Sequence, residues 1–138
     1  MKKFNIRVYG ILINQNKEIL VLDETRNGYS FTKFPGGGLE GGEGFQECLK
    51  REFEEELGLN VQVSELYYLN DDFVPSVFQP LDQLFSVYYR VSLIKETKIV
   101  QKTDFEVPRW ISINHIQDND LTFPLDKRVI IKLKKEIY

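Results

Sequence analysis

Three glutamates within one five-residue stretch have the spacing that a divalent metal site needs. Glu52, Glu55 and Glu56 stand at positions i, i+3 and i+4, so in a helix they fall within an arc of about 100° on one face. Like charges at these spacings destabilise a helix by about 0.2–0.5 kcal/mol per pair. Cations such as Mg²⁺ and Mn²⁺ offset that repulsion, because they bind carboxylate oxygens. For such a helix taken alone, a solvated acidic face is the alternative interpretation.

A glycine-rich segment precedes these glutamates. It runs from Phe34 to Gly44 and holds six glycines in eleven residues. Because glycine loses the most backbone entropy on ordering, we expect an irregular loop whose backbone takes positive φ or comes close to another group. A glycine loop that enters a helix is one way to bind phosphates, which favours the metal interpretation over the solvated face. The signature Gly-x-x-x-x-Gly-Lys-Ser/Thr is absent, so this segment is not a P-loop.

Together, the loop and the glutamates resemble the Nudix box, G-x5-E-x7-R-E-U-x-E-E-x-G-U, where U is a bulky apolar residue. Gly37 and Glu43 fill the first two positions, and residues 51–59 (Arg-Glu-Phe-Glu-Glu-Glu-Leu-Gly-Leu) fill the others. Phe53 is aromatic where an aliphatic residue is usual, which is a mild departure. The Pro-Gly-Gly entry upstream and the stretch 108–111 downstream also look like this family, so the resemblance covers most of the chain.

The resemblance implies an α/β (α+β) fold of the Nudix type, an α/β/α sandwich with a mixed β-sheet in which the box, Gly37 to Leu59, forms loop–helix–loop. It also implies Mg²⁺ or Mn²⁺ as cofactor and attack of a metal-activated water on phosphorus. The implied metal ligands are Glu52, Glu55, Glu56 and the Gly37 carbonyl. Arg51 matches a position that orients a neighbouring glutamate, and Glu43 matches an acid near the metals. Either a box carboxylate or an acid from another loop would take the proton. For the outside acid, Glu106 is our first candidate and Asp104 our second, and an exposed loop acid with no such role is the alternative for each.

Aromatic residues outside the box could bind a nucleobase. We predict Phe31, Phe73 and Phe78 as substrate-binding residues, because an aromatic ring can stack on a base. Phe73 and Phe78 also lie in a predicted loop, where apolar side chains need an explanation. Simple packing within the loop is the alternative for each. The exposed aromatic loop would also suit a homodimer.

The predicted reaction is hydrolysis of a phosphoanhydride bond in a nucleoside diphosphate linked to another moiety. Pro75, 16 residues after Leu59 by subtraction, resembles a feature of ADP-ribose pyrophosphatases, so a nucleotide sugar ranks first. Diadenosine polyphosphate hydrolases usually have a tyrosine near the position of Ser76, so this substrate class is less favoured. The alternatives are an oxidised (d)NTP pyrophosphohydrolase, a non-catalytic nucleotide-sensing module and an isomerase of the isopentenyl diphosphate type. The complete box argues against the sensing module, and the place of Cys48 inside the box helix argues against the isomerase.

The hydrophobic pattern predicts one sheet covered by helices. We expect a hairpin of the first two strands, loops at 25–30 and 73–83, and Gly58 as the residue that ends the first helix. Predicted strands are Phe4–Ile13, Glu18–Leu22, Val61–Leu69, Leu84–Ile94 and Glu106–Ile113, and predicted helices are Phe45–Leu57 and Pro124–Ile137.

Length and charge narrow the class of protein further. The 138 residues suit a single domain, 1–138. The net charge of -3 offers no basic surface for polymeric nucleic acid, so the expected partner is a small-molecule nucleotide. No apolar run approaches the roughly 20 residues that span a bilayer, so no membrane partner is expected. The single cysteine fits a reducing, cytoplasmic setting, and His115 is expected at the surface.

Overall fold

The computed structural model describes residues 3–137, apart from the side chain of Ile137. These residues form a mixed α+β fold with two sheets and two helices, which confirms the predicted fold class. The elements in chain order are β1 Phe4–Leu12, β2 Glu18–Arg26, β3 Tyr29–Lys33, β4 Gly36–Gly38, α1 Phe45–Leu57, β5 Val61–Leu69, β6 Gln83–Leu93, β7 Glu106–Ser112, a short 3-10 turn Asp118–Asp120 and α2 Pro124–Ile137. In this part of the chain, no helix is both long and apolar enough to cross a membrane.

The strands divide between two sheets, so the prediction of a single sheet is wrong. The larger has the order β4-β1-β6-β5 and is mixed, since β1 runs parallel to β6 and antiparallel to β4. The smaller is antiparallel and has the order β3-β2-β7. The expected hairpin of the first two strands is therefore wrong. β1 and β2 lie in different sheets, joined by a bridge between Ile13 and Ile19, because each finds its longer partner elsewhere in the chain.

Residues 25–30 form a hairpin rather than the expected loop. β2 continues through Arg26, and Asn27-Gly28 makes a two-residue turn into β3. Both turn residues have positive φ, 53° and 77°, which is the geometry that makes Asn-Gly a strong hairpin signal. The hairpin matters for the site because β3 carries Phe31 and Lys33.

The glycine-rich segment is also more regular than expected. Gly36–Gly38 forms β4 and pairs with β1. At Gly36 the φ is +144°, and a Cβ there would lie 2.1 Å from the Val8 carbonyl oxygen. Only glycine fits this position, so the close approach that the sequence predicted occurs between β4 and its neighbouring strand.

The sheets lie between the two helices, and their side chains alternate between two cores. Val8 and Leu12 of β1 pack with the α1 side chains Leu49 and Phe53. The intervening Tyr9 and Ile11 pack on the other face with the α2 side chains Val129, Ile130 and Leu133. This alternation is the two-residue period of a strand buried on both faces. It explains why residues 8–12 of β1 are all apolar or glycine, and it produces the predicted α/β/α layering.

Candidate active site

Helix α1 carries the box glutamates, with the predicted bounds Phe45–Leu57. Its apolar face buries Cys48, Leu49, Phe53 and Leu57, and Glu54 and Glu55 are exposed while Glu52 and Glu56 are partly buried. Gly58 ends the helix in the left-handed conformation, φ 64°, as predicted. The main-chain N–H of Val100 donates to the Leu57 carbonyl at 2.9 Å. The segment before β7 is thereby held against the end of α1.

Gly37 of β4 lies directly against Glu52. A Cβ on Gly37 would stand 2.5 Å from Oε1 of Glu52 and 2.6 Å from its Cδ. The Glu52 side chain is only 13% exposed. Strand β4 and helix α1 therefore bring together the Gly37 backbone and a box carboxylate, two of the metal ligands that the resemblance implied.

Arg51 is the centre of the charged network. Its guanidinium donates to both oxygens of Glu43, at 2.7 and 3.0 Å. It also donates to Glu52 at 3.1 Å and to Glu55 at 3.2 Å, and to the main-chain carbonyl of Gly38 at 3.3 Å. The hydrogen bonds from Arg51 lower the pKa of Glu43 to about 2. One cation thus orients three of the box acids, because only a planar guanidinium has enough donors in a fixed arrangement.

Glu56 has the most perturbed carboxylate of the three. Burial, with repulsion from the neighbouring Glu52 and Glu106, raises its pKa to about 8. Its buried Oε2 has no hydrogen-bond partner among the residues that the structure describes. An uncompensated buried carboxylate is costly, and a divalent cation would remove that cost while supplying the partner. The oxygen-only donor set around Glu56 fits Mg²⁺ or Mn²⁺.

Glu55 points in another direction. It is 61% exposed and held by Arg51. Within residues 3–137, no three acidic, histidine or cysteine side chains stand close enough together to hold a metal ion. The structure therefore brings Glu52 and Glu56 together and leaves the Glu55 carboxylate exposed at the edge of the acidic cluster. A rotation of the exposed Glu55 side chain would be needed to complete a three-carboxylate set.

Glu106, the predicted outside acid, lies beside the box. It begins β7 opposite Glu24 of β2, and a small cavity of about 90 Å³ is lined by Glu55, Glu56, Lys102, Thr103 and Glu106. Burial and the Glu24 carboxylate raise the pKa of Glu106. Asp104, the second candidate, is exposed and outside this lining. The geometry favours Glu106 of the two.

A larger cavity of about 230 Å³ is lined in part by Lys33, whose charge also acts on Glu56 of the acidic cluster. Phe31 and Phe78 line it together with Phe123, with ring centroids 5.2 to 6.0 Å apart. Phe73, the third predicted aromatic residue, is 60% exposed and is not part of this wall. Three flat apolar faces at these distances can stack against a planar ring.

The cavity also contains charged residues that the sequence reasoning missed. Arg7, Arg26 and Lys33 line it, as does the carboxylate of Asp126 in the first turn of α2. Burial raises the pKa of Asp126 to about 6. Its Oδ1 accepts a hydrogen bond from the Tyr88 hydroxyl, whereas its Oδ2 has no partner in the described part of the chain. A polar residue inside an apolar pattern was the only available signal for Lys33 and Asp126, and it does not identify a role.

Cys48 lies in the core, and His115 lies at the surface as predicted. Cys48 is fully buried, and burial raises its pKa to about 12, so it is a core residue rather than a nucleophile. His115 is exposed in a turn after β7. With Cys48 inaccessible, the isomerase hypothesis lacks the reactive cysteine that it would need.

The fold is that of the Nudix class. The NUDIX domain family model matches residues 3–133, and the chain belongs to this family. It is 38% identical over 69 residues to the 8-oxo-dGTP diphosphatase of Escherichia coli (strain K12), a match that covers 49% of this chain and 53% of that protein. The aligned part is thus about half the length of this relative.

Solved structures show the same fold over nearly the whole chain. The MutT protein from Methanosarcina mazei Go1 superposes with a TM-score of 0.78 at 18% identity, covering 98% of this chain and 96% of that one. The MutT NUDIX hydrolase from Burkholderia pseudomallei gives 0.77 at 12% identity, covering 96% and 99%. At these identities the likeness establishes the architecture alone, so the activity has to be argued from the site.

Proposed function

We propose that this protein is a divalent-metal-dependent hydrolase that cleaves a phosphoanhydride bond in a nucleotide. The observation that carries the proposal is the adjacency of two sites: a cavity lined by aromatic rings and cations, and an acidic cluster around Glu52 and Glu56. The first suits a nucleoside and its phosphate. The second suits the cation that neutralises the anhydride, since phosphoryl transfer depends mainly on positioning and charge stabilisation.

The residues of the acidic cluster have different roles in the proposed reaction. Glu52, Glu55, Glu56 and the Gly37 carbonyl would hold Mg²⁺ or Mn²⁺, which supplies Lewis acidity and lowers the pKa of a bound water. Arg51 orients Glu52 and Glu55 through its hydrogen bonds. Glu106 accepts the proton of the attacking water, because its raised pKa makes it a stronger base than an ordinary glutamate.

The cavity favours a nucleobase that carries N–H donors. Its volume of about 230 Å³ is below the roughly 300–1,000 Å³ of sites for larger ligands, so it suits one nucleoside rather than a whole dinucleotide. The unpartnered Oδ2 of Asp126 accepts a hydrogen bond from such a base. This supports an oxidised or ordinary purine nucleoside triphosphate, in line with the 8-oxo-dGTP diphosphatase relative.

A nucleotide sugar such as ADP-ribose is the second candidate substrate, and it was the first from the sequence. Pro75 and Ser76, on which that ranking depended, line the same cavity. Their presence in the wall is the specific observation that keeps this class. The two substrate classes differ in the group that follows the second phosphate. It is a sugar in a nucleotide sugar and a third phosphate in a nucleoside triphosphate.

A substrate panel tests the proposal. We would measure product release from 8-oxo-dGTP, dGTP, ADP-ribose and diadenosine polyphosphates with Mg²⁺, with Mn²⁺ and with a chelator. The double substitution Glu55→Gln and Glu56→Gln should abolish turnover while α1 stays folded. Glu54→Gln, on the exposed opposite side of the same helix, is the matched control and should keep full activity.

The outcomes separate the hypotheses. Metal-dependent cleavage of one class supports the enzyme and identifies its substrate. Tight nucleotide binding with no cleavage of any member would favour the sensing module instead. Activity that survives the double substitution would refute the assignment of the site to the box.

A further inference from the structure

Two cations meet at one aromatic ring inside the nucleotide cavity. Lys33 of β3 is only 5% exposed, and its ammonium donates to the main-chain carbonyls of Phe34 at 3.2 Å and Gly36 at 3.1 Å. Arg7 of β1 donates through Nε to the Tyr9 hydroxyl at 2.7 Å. Lys33 Nζ lies 5.4 Å and Arg7 Cζ 5.8 Å from the centroid of the Tyr9 ring. Tyr9 thus holds both positive charges on one side of the cavity.

Neither cation is paired with an acid. Among the described residues, no carboxylate oxygen lies within 4.0 Å of either side chain, whereas Arg26, Arg51, Arg109 and Arg128 each form such a pair. A buried ammonium without a counter-ion is costly, and a second positive charge beside it adds repulsion. The carbonyls and the ring compensate only in part, because these acceptors carry no full negative charge. An anion bound between the two cations would compensate for the rest.

The position of Arg7 and Lys33 indicates which anion would bind between them. Both side chains line the cavity that contains Phe31 and Phe78. On the other side, Arg7 pairs in register with Gly38, and Lys33 contacts the carbonyl of Gly36. These two glycines flank Gly37, which packs against the carboxylate of Glu52. The two cations therefore lie between the wall that would stack a base and the acids that would hold the metal.

The electrostatic effects agree with this intermediate place. Burial raises the pKa of Glu56, Glu106 and Asp126, and the positive charge of Lys33 opposes that rise on both sides, at Glu56 and Glu106 and at Asp126. A nucleotide with its base against the aromatic wall and its scissile anhydride at the acids has to run past this point. The group that it presents here is its first phosphate.

We propose that Arg7 and Lys33 together bind the phosphate nearest the nucleoside, an inference that rests on the proposed function. They hold it as a pair of donors on either side of the Tyr9 ring. This makes them substrate-binding residues outside the box, and it selects phosphorylated ligands over free nucleosides.

The experiment compares each of the four ordinary nucleosides with its 5′-monophosphate. These ligands contain no anhydride, so calorimetry with Mg²⁺ measures binding without cleavage. For the best-bound base, we expect the wild-type protein to bind the monophosphate about 10- to 100-fold more tightly than the nucleoside, the range for hydrogen bonds to charged groups. Lys33→Met and Arg7→Met should each remove most of that preference while leaving the affinity for the nucleoside within about 2-fold.

Lys132→Met is the matched control. Lys132 also donates to a main-chain carbonyl, that of Tyr67 at 2.7 Å, and lies over the Tyr67 ring at 3.9 Å, but it is outside the cavity. This substitution should leave the preference unchanged. If Lys33→Met does not fold, judged by circular dichroism, Lys33→Gln keeps a donor for the two carbonyls and removes the charge.

The results separate this inference from the proposed function. Folded Lys33 and Arg7 variants that keep the wild-type preference for the monophosphate would overturn the phosphate site, even if the protein hydrolyses a member of the substrate panel. A wild-type protein that binds neither nucleosides nor monophosphates and cleaves nothing would overturn both.

Discussion

Gly37→Ala tests whether the contact between β4 and Glu52 serves the active site. The new methyl carbon would stand 2.5 Å from Oε1 and 2.8 Å from Oε2 of Glu52. Ordinary contacts begin near 3.4 Å, so the carboxylate has to move by roughly 0.9 Å, the difference between the two values. A displacement of this size in a catalytic group costs about 100-fold in rate. We therefore expect kcat/KM to fall by about two orders of magnitude.

The fold should tolerate this change. The atoms that the methyl group meets are at the far end of a flexible side chain, and Gly37 does not have positive φ. We expect a loss of at most about 1 kcal/mol in the free energy of unfolding, the low end of the overpacking range. Urea denaturation measures this loss, and titration with Mn²⁺ followed by electron paramagnetic resonance measures the metal affinity. Gly37→Ala should therefore lower activity strongly while lowering stability only slightly.

Gly41→Ala is the matched control. It lies in the same glycine-rich segment, its φ is not positive, and a Cβ there would meet nothing within 4 Å. This variant should behave as the wild type in both assays. If Gly37→Ala keeps full activity and Mn²⁺ affinity, then the position of the Glu52 carboxylate is not critical and the reasoning about this contact is wrong.

Three further predictions follow from the same geometry. Gly36→Ala should destabilise the fold by more than 3 kcal/mol in urea denaturation, since its Cβ would meet the Val8 backbone and its φ is positive; a near-native stability would contradict the register of β4. Arg51→Lys should lower turnover and Mn²⁺ affinity about 10-fold or more with α1 intact by circular dichroism, because one ammonium cannot replace the bidentate contact with Glu43; unchanged kinetics would remove Arg51 from the site. Asp126→Asn should stabilise the protein by about 1–3 kcal/mol at pH 8, because the pKa of the carboxyl is raised from 3.8 to about 6 in the folded state and its ionised form is disfavoured there. That gain should shrink as the pH falls from about 6 to 4, and a gain independent of pH would contradict the burial argument.

The local features of the fold were predictable from the sequence. The bounds of α1 and α2 are those predicted, because apolar residues at helical spacing and a terminal glycine depend only on neighbours within a few positions. The bounds of β5 are also those predicted. The pairing of β1 and β2 was mistaken, since strand partners are chosen by long-range packing that no local pattern encodes. Asn27-Gly28 was a usable hairpin signal, and the error there was to interpret it as a loop.

In the candidate site too, the locally encoded residues could be predicted and those brought together by long-range packing could not. Glu52, Glu55 and Glu56 could be singled out because one helix carries all three, so their relation is set by the helical repeat alone. Glu106 required the segment before β7 to dock against the end of α1, and the resemblance could only suggest it. Arg7, Lys33 and Asp126 come from three separate elements and meet at one cavity. The sequence by itself determined the family, the box and the helix that presents it, whereas only the tertiary structure decided which distant charges share a buried space, because burial and pairing are properties of the assembled layers.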